Sequence, residues 1–201
     1  MNSLENNGND GLSASNTKLY VRYMVSLRCK NIAKAELNKL NIKHAISLQG
    51  AIEFPEGITN AQHSQLKKNL LKSRLLLLDA NESLVIDKII NTIIEVIHFS
   101  DELPKISYKD IIQENLGAGE AMLKIFTEVK GVSVTQFIID QKIERAKELL
   151  LYHDITTSEI AEKLNYKNVD LFISQFKKIT GHTPSYFIDI KSKRVKNIEN
   201  Q

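Results

Sequence analysis

The chain has 201 residues, of which 42% are hydrophobic and 25% are charged, and its formal net charge is +3. These values are ordinary for a soluble globular protein of one domain or two small ones, and so mild a charge does not by itself indicate a nucleic-acid partner. The single cysteine excludes an internal disulfide framework, no apolar run reaches membrane-spanning length, and the start lacks a secretion signal, so we expect a cytoplasmic protein.

The first part of the chain predicts a disordered tail followed by a small α/β module. Residues 1–17 are rich in Asn, Ser and Gly and almost lack large apolar side chains, so they cannot form a core. Within 18–80, strands are predicted at 20–27, at two places in 43–57 separated near Gln49-Gly50, and at 74–79, with helices at 29–40 and 59–73. This β-α-β-β-α-β order predicts a ferredoxin-like module that senses a signal or dimerises.

A connecting segment, 81–103, contains a predicted apolar helix at about 82–99. Its isoleucine and valine residues lie on two faces: Val85, Ile86, Ile89, Ile90, Ile93, Val96 and Ile97. A helix that is apolar nearly all round must be buried on more than one side. Packing between the two halves of the chain and a homodimer seam are both compatible with this pattern. The run "SDELP" (100–104) marks the domain boundary.

The second half, 104–190, predicts only helices, so the chain as a whole is expected to be α+β. Capping boxes are predicted at Ser107 with Asp110 and at Thr156 with Glu159. Gly131 and Gly181 are expected to end helices, and Thr183-Pro184 to start the next one. The last residues, 191–201, are expected to form a basic flexible tail.

The stretch 156–187 predicts a helix-turn-helix. A short helix is followed by a turn at Asn165-Tyr166, where Asn tolerates a left-handed conformation. In the next helix Phe172, Phe176 and Ile179 recur at helical spacing and should pack inward. One copy could be an ordinary three-helix packing unit, but the rhythm of short helix, turn and helix occurs twice in this half.

Residues 106–190 resemble the DNA-binding domain of the AraC/XylS family of bacterial transcription regulators. The run "IAEKLNYKNVDLFISQFKKITGHTPSYF" (160–187) matches the family's Ile-Ala, Phe-x-x-x-Phe-Lys-Lys and Gly-x-Thr-Pro elements, and "AKELL" (146–150) matches its linker helix. Departures are Asn165-Tyr166 for Gly-Phe, Ser174 for a basic residue, Lys142 for the frequent Arg, and Phe126-Thr127-Glu128 where the first unit usually has Phe-Lys-Lys. Residues 101–201 hold 15 basic and 15 acidic residues, so phosphate binding would depend on local charge.

The resemblance implies a transcription regulator that binds double-stranded DNA and contacts RNA polymerase, with no cofactor. Carried over residue by residue, the base-facing positions would be Glu120, Leu123 and Lys124 in the first unit and Val169, Asp170, Ile173 and Ser174 in the second. Phosphate-contacting positions would be Ser107, Thr156, Lys177, Lys178 and Thr183. The family's usual partner domain is a cupin-like barrel, and residues 20–80 do not resemble one. A homodimer through the 82–99 helix and a small effector are compatible with this reading.

Other functions were weighed against the same residues. Cys29 lies in "LRCKNI", where heavy-metal-associated domains of ferredoxin-like fold carry Cys-x-x-Cys, but its second position is Ile32. Between Arg28 and Lys30 it could still be a redox sensor, although an incidental cysteine is the simpler reading. No phosphate loop, nucleophile elbow or zinc-protease motif is present, so we expect no enzyme and no metal site. The alternatives to a DNA-binding regulator are a protein-interaction scaffold, or a metal or redox sensor that uses the N-terminal module.

Overall fold

The structure is a computed structural model that describes residues 17–47, 50–100, 103, 112 and 119–199. These residues divide into two compact units. The first contains the residues from Thr17 to Lys88 together with 119–133, and the second contains those from Ile89 onward together with 134–199. The predicted tail lies outside the described residues except for Thr17, and the predicted helix cap at Ser107 lies outside them as well.

Four strands form one antiparallel sheet in the first unit. They are β1 (Thr17–Arg22), β2 (Ala45–Ile46), β3 (Ala51–Phe54) and β4 (Leu76–Leu77), in the spatial order β2-β3-β1-β4. Thr17 pairs with Phe54 and Val21 with Leu77, which places β1 in the middle between β3 and β4. With the helices between them, the strands follow the predicted β-α-β-β-α-β order.

Two helices cover this sheet, α1 (Leu27–Lys39) and α2 (Asn60–Lys72). Ser26 caps α1, and a complete capping box of Thr59 and Gln62 starts α2. Their apolar faces join those of the strands in one core, whose fully buried members include Leu19, Val21, Ala33, Leu37, Ile52, Phe54, Leu66 and Leu70. Burial of apolar side chains in this shared core stabilises the short strands and the two helices together.

The predicted strand at 20–27 was too long, because β1 ends at Arg22. Tyr23 adopts a left-handed backbone with φ of +68°, which an extended strand does not allow. Ser26 then accepts a hydrogen bond from the amide of Cys29 and begins α1. The β-branched and aromatic residues at 20–27 therefore belong to a strand, a sharp turn and a helix start.

The next helix, α3 (Ala80–Phe99), begins in the first unit, where polar contacts join it to β1. The Tyr20 amide donates to the Ser83 hydroxyl at 3.1 Å, and the Tyr20 hydroxyl donates to the Asp87 carboxylate at 2.9 Å. Lys18 also pairs with Asp87. Burial, followed by the neighbouring Asp87, raises the pKa of Tyr20 far above its usual range, so Tyr20 remains a neutral donor.

Five of the six isoleucine side chains of α3 are buried, and Ile94 is partly exposed. Ile86, Ile89, Ile90 and Ile93 have no exposed surface, and Ile97 is almost fully buried. The residues left exposed lie on the opposite stripe and are mostly polar: Asn81, Leu84, Lys88, Asn91, Glu95 and Phe99. The buried isoleucines therefore belong to the core, while packing between the two halves of the chain and a homodimer seam both stay predictions.

Among residues 119–199, the structure describes five further helices: α4 (Glu120–Lys130), α5 (Val134–Tyr152), α6 (Thr157–Lys163), α7 (Val169–Thr180) and α8 (Pro184–Glu199). Helix α4 belongs to the first unit and the other four to the second. Pro184 is the first residue of α8, as predicted, but the helix continues to Glu199. The segment 191–199, predicted to be a flexible tail, is therefore helical. No helix among the described residues has both the length and the apolar character needed to cross a bilayer.

Candidate nucleic-acid interface

A helix-turn-helix is formed by α6 and α7 in the second unit. The α6 start is the predicted capping box, in which the Thr156 amide donates to the Glu159 carboxylate at 2.6 Å and the Glu159 amide donates to the Thr156 hydroxyl at 3.2 Å. In the turn Asn165 has a φ of +53°, as its position predicted. Asn168 then caps α7 by accepting from the amide of Leu171 at 2.8 Å. The two helix starts and the turn between them are thus formed by Thr and Asn residues, which favour these positions.

A row of aromatic rings fixes the inward face of α7. Ring centroids are separated by 5.2 Å between Tyr166 and Phe172, 5.6 Å between Phe172 and Phe176, and 5.3 Å between Phe176 and Phe187. Phe172 and Phe176 have no exposed surface. Ile179, predicted to pack with them, is 38% exposed because it lies on the last turn of the helix, beyond this row. The prediction of an inward position was wrong for Ile179 and correct for the two phenylalanines.

Tyr166 also joins the turn to neighbouring helices. Its hydroxyl donates to the Gln175 side chain of α7 at 2.7 Å, and the Lys142 ammonium of α5 lies 5.3 Å from its ring centroid. Burial raises the pKa of Tyr166 to about 12 and lowers the pKa of Lys142. The tyrosine that replaces the family's phenylalanine therefore adds a hydrogen bond and a cation–π contact to the packing of the turn.

The outward face of α7 is polar and accessible. Asp170 and Ser174 are exposed, while Val169 and Ile173 are partly covered beside them. Lys177 and Lys178 are exposed in the last turn. The helix thus presents one acceptor, one hydroxyl and two cations on the side opposite the phenylalanine row, all on a rigid element of 12 residues.

The predicted phosphate contacts at helix starts have different surroundings. At Thr156, both the amide and the hydroxyl already donate to the Glu159 carboxylate, and these bonds lower the pKa of that carboxyl. An anion approaching this helix start would therefore have to displace a negative group. Thr183 is partly buried directly before Pro184, and Ser107 lies outside the described residues.

Of the first predicted helix-turn-helix, the structure describes α4, while the shorter helix predicted before it lies almost entirely outside the described residues. Glu120 and Lys124 are exposed and Leu123 is partly covered, so the structure leaves these three predicted base-facing positions accessible. Gly131 ends α4 with a left-handed φ of +74°, and Gly181 ends α7 in the same way with +80°. The two helices therefore finish alike.

Sequence reasoning missed the role of the last turn of α4. There the Glu128 carboxylate pairs with the Arg22 guanidinium at 2.5 Å, and the Glu128 carbonyl accepts a hydrogen bond from the Tyr23 amide at 2.7 Å. Both partners lie at the end of β1, in the same compact unit as α4. The signal was present as Glu128 in place of the family's second lysine, which sequence analysis treated only as a lost positive charge.

The possible sensor residue Cys29 lies in the first turn of α1 and not in a loop. It is partly buried and unpaired, and its sulfur accepts a hydrogen bond from the Ser26 hydroxyl at 3.2 Å. Across the described residues, no three His, Cys, Asp or Glu side chains are grouped so that they could bind a metal ion. Nothing in this arrangement marks Cys29 as a ligand.

Comparison with known proteins agrees with the helical geometry of the C-terminal part. Residues 119–189 match the model of a helix-turn-helix domain. This match confirms the predicted helix-turn-helix domain in the C-terminal half of the chain.

Two curated relatives come from Bacillus subtilis. One is the uncharacterized HTH-type transcriptional regulator YtdP, 31% identical over 97 residues, which are 48% of this chain and 12% of YtdP. The other is the bifunctional transcriptional activator/DNA repair enzyme AdaA, 30% identical over 90 residues, 45% of this chain and 41% of AdaA. The matched region thus covers less than half of either relative. Among solved structures, an AraC-type regulator from Chromobacterium violaceum is 15% identical with a TM-score of 0.48, covering 56% of this chain and 96% of that one.

Proposed function

We propose that this protein is a DNA-binding transcription regulator of the AraC type, in which α4 and α7 enter two adjacent segments of the major groove. The observation that carries the proposal is the outward face of α7. This helix is anchored by Phe172 and Phe176 and presents polar and cationic side chains on its outer face. The major groove of DNA is wide enough to admit such a helix. It belongs to a domain type found in transcription regulators, and no catalytic activity is part of the proposal.

Base contacts are assigned by the chemistry of the exposed positions. Lys124 can donate to guanine, Ser174 can donate or accept, and Asp170 can accept from the amino group of cytosine. The partly covered residues Leu123 and Ile173 offer apolar surface to thymine methyl groups. Glu120 and Val169 complete the proposed base-facing set.

Among the proposed phosphate contacts, the two lysines of α7 are the strongest candidates. Lys177 and Lys178 are exposed beside the base-facing stripe of α7, where they can position the helix without reading sequence. Thr183, and Ser107 outside the described residues, are proposed as minor contributors. Thr156 is the weakest member of the set, because Glu159 occupies its donors.

The N-terminal part of the chain is proposed to be a ferredoxin-like module at 18–80, connected through 81–103 to a DNA-binding domain at 104–190. The antiparallel order β2-β3-β1-β4 and the two covering helices support this assignment. We propose that the module receives a signal, such as a small effector, and that the bound protein contacts RNA polymerase. A homodimer through α3 would use its exposed stripe around Leu84 and Lys88, since the isoleucines are buried.

The proposal is tested by selecting bound duplexes from a random DNA pool with the full chain. We expect enrichment of a motif with two half-sites about one helical turn apart, because two recognition helices on one face of DNA are spaced in this way. Substitution of Lys124 by alanine should relax one half-site and Ser174→Ala the other. Absence of any enriched motif would show that the helix pair does not read DNA sequence and would favour a protein-binding scaffold.

A further inference from the structure

The two recognition helices differ at equivalent places in their last turns. In α7 the run Phe176-Lys177-Lys178 ends with an exposed lysine, whereas in α4 the run Phe126-Thr127-Glu128 ends with a glutamate. Only 15% of the Glu128 side chain and 26% of the Arg22 side chain are exposed, so this ion pair is partly withdrawn from solvent. The glutamate therefore replaces a possible phosphate contact with a contact inside the protein.

A backbone hydrogen bond and a close approach at the same place show that the fit involves more than one pair of charges. The Tyr23 amide donates to the Glu128 carbonyl near the C-terminal end of α4, where few carbonyls have partners within the helix. A Cβ added at Gly131 would lie 2.9 Å from a methyl carbon of Val25, whereas one added at Gly181 would meet nothing within 4 Å. Arg22 also lies over the ring of Tyr23, with 5.7 Å between the guanidinium carbon and the centroid.

This docking leaves the DNA-facing end of α4 open. Glu120 is the first residue of α4, Lys124 lies about one turn further on, and both are exposed, while Glu128 lies about 12 Å along the axis from Glu120 at 1.5 Å per residue. The end of β1 thus contacts the opposite end of the helix from the predicted base-reading residues. Such a contact fixes the helix without covering the surface that would enter the groove.

We propose that Arg22 and Glu128 are positioning residues for DNA recognition, through which the N-terminal sheet holds the first recognition helix, α4, in its own compact unit. The sheet and α4 then act as one body, so a change in the sheet alters the affinity for one half-site selectively. This inference rests on the proposed function and adds to it the route by which the N-terminal module acts on DNA binding.

The test is a charge exchange in the full chain, read on the selected duplex. Arg22→Glu and Glu128→Arg are made singly and together, and affinity and the protected bases are measured for each. The half-site bound by α4 is the one relaxed by Lys124→Ala. Lys43→Glu is the matched control, since it breaks an exposed ion pair with Glu56 on the same module, where 73% and 63% of the side chains are exposed.

Each single exchange is expected to weaken binding about tenfold, a coupling within the range for residues of one salt-bridge network. The lost protection should be confined to the α4 half-site, the double exchange should restore it, and Lys43→Glu should bind like the unaltered chain. A structural role alone would weaken both halves equally.

Three results would overturn the inference. The single variants could lose protection equally at both half-sites, or they could bind DNA like the unaltered chain. The double exchange could also fail to restore binding although it melts at the same temperature as the unaltered chain. If a single exchange prevents folding, Glu128→Gln, which keeps the size of the side chain, replaces it under the same criteria. If the unaltered chain selects no duplex, the proposed function itself fails, a result distinct from selection with the wrong half-site pattern.

Discussion

The side chains of α7 are divided between two faces with different chemistry, and this division can be tested residue by residue. Phe176 contacts the rings of both Phe172 and Phe187, and none of its surface is exposed. Ile179 is apolar too, but 38% of it is exposed. Hydrophobic periodicity assigns both Phe176 and Ile179 to the buried face of the helix, because it carries no information about where the neighbouring helix ends. Only the packing in the structure shows that one is buried and the other exposed.

Phe176→Ala is expected to lower the free energy of unfolding by about 3–5 kcal/mol, because it removes a fully buried ring and leaves a cavity in the row. Ile179→Ala should cost about 1 kcal/mol or less, as for other exposed positions. Denaturant unfolding followed by circular dichroism measures both. Similar losses for the two variants would show that Phe176 does not anchor the helix.

The capping box of α6 should make a contribution to stability that depends on pH. Hydrogen bonds from Thr156 lower the pKa of Glu159 in the folded state below its ordinary value of 4.5. The contribution is therefore complete above the ordinary value and is lost as the pH falls through the lower folded value. The box at the start of α2 pairs Thr59 with the neutral Gln62 and should not depend on pH in this range.

The test is to measure the melting temperatures of Thr156→Ala, Thr59→Ala and the unaltered chain between pH 7 and pH 3. The loss caused by Thr156→Ala should shrink at the acidic end, and the loss caused by Thr59→Ala should remain constant. A constant loss for both would contradict the assigned role of the Glu159 carboxylate.

At the scale of elements, the sequence predicts helix starts and stops well, and strand ends less well. Side chains and glycines that cap helices act locally, so Thr156 and Gly181 were predicted from their neighbours alone. The end of β1 depends on Tyr23, whose left-handed backbone no local rule demands of a tyrosine. The grouping of α4 with the sheet depends on contacts between residues about a hundred positions apart, which hydrophobic spacing does not encode.

The C-terminal glycines of α4 and α7 allow a matched comparison. Alanine in a left-handed conformation costs about 1–2 kcal/mol at either place, because both glycines have positive φ. Gly131→Ala should cost more than Gly181→Ala, since only the former brings a Cβ against Val25. Chemical denaturation of both variants compares the two free energies of unfolding. Equal losses would mean that the end of β1 yields freely and does not fit tightly against α4.

At the scale of the whole molecule, an α/β module and a helix-turn-helix domain share one chain, and a few local cations are proposed to supply the electrostatic part of DNA binding. The second half of the chain is formally neutral, with equal numbers of acidic and basic residues. Its exposed lysines are therefore more informative than its net charge. Lys191, for example, is paired with Asp154, whereas Lys177 and Lys178 are exposed beside the stripe of α7 that is proposed to face the bases.

The central claim is that this chain binds duplex DNA through the outward faces of its recognition helices. The most direct measurement is the equilibrium affinity for the selected duplex across a salt series, for the unaltered chain and for the double variant Lys177→Ala/Lys178→Ala. The account predicts a steep fall in affinity, about 10³-fold between 50 and 200 mM salt for some six phosphate contacts. The double variant should have a salt slope smaller by about two. An affinity that does not change with salt, or a slope that the double variant leaves unaltered, would contradict it.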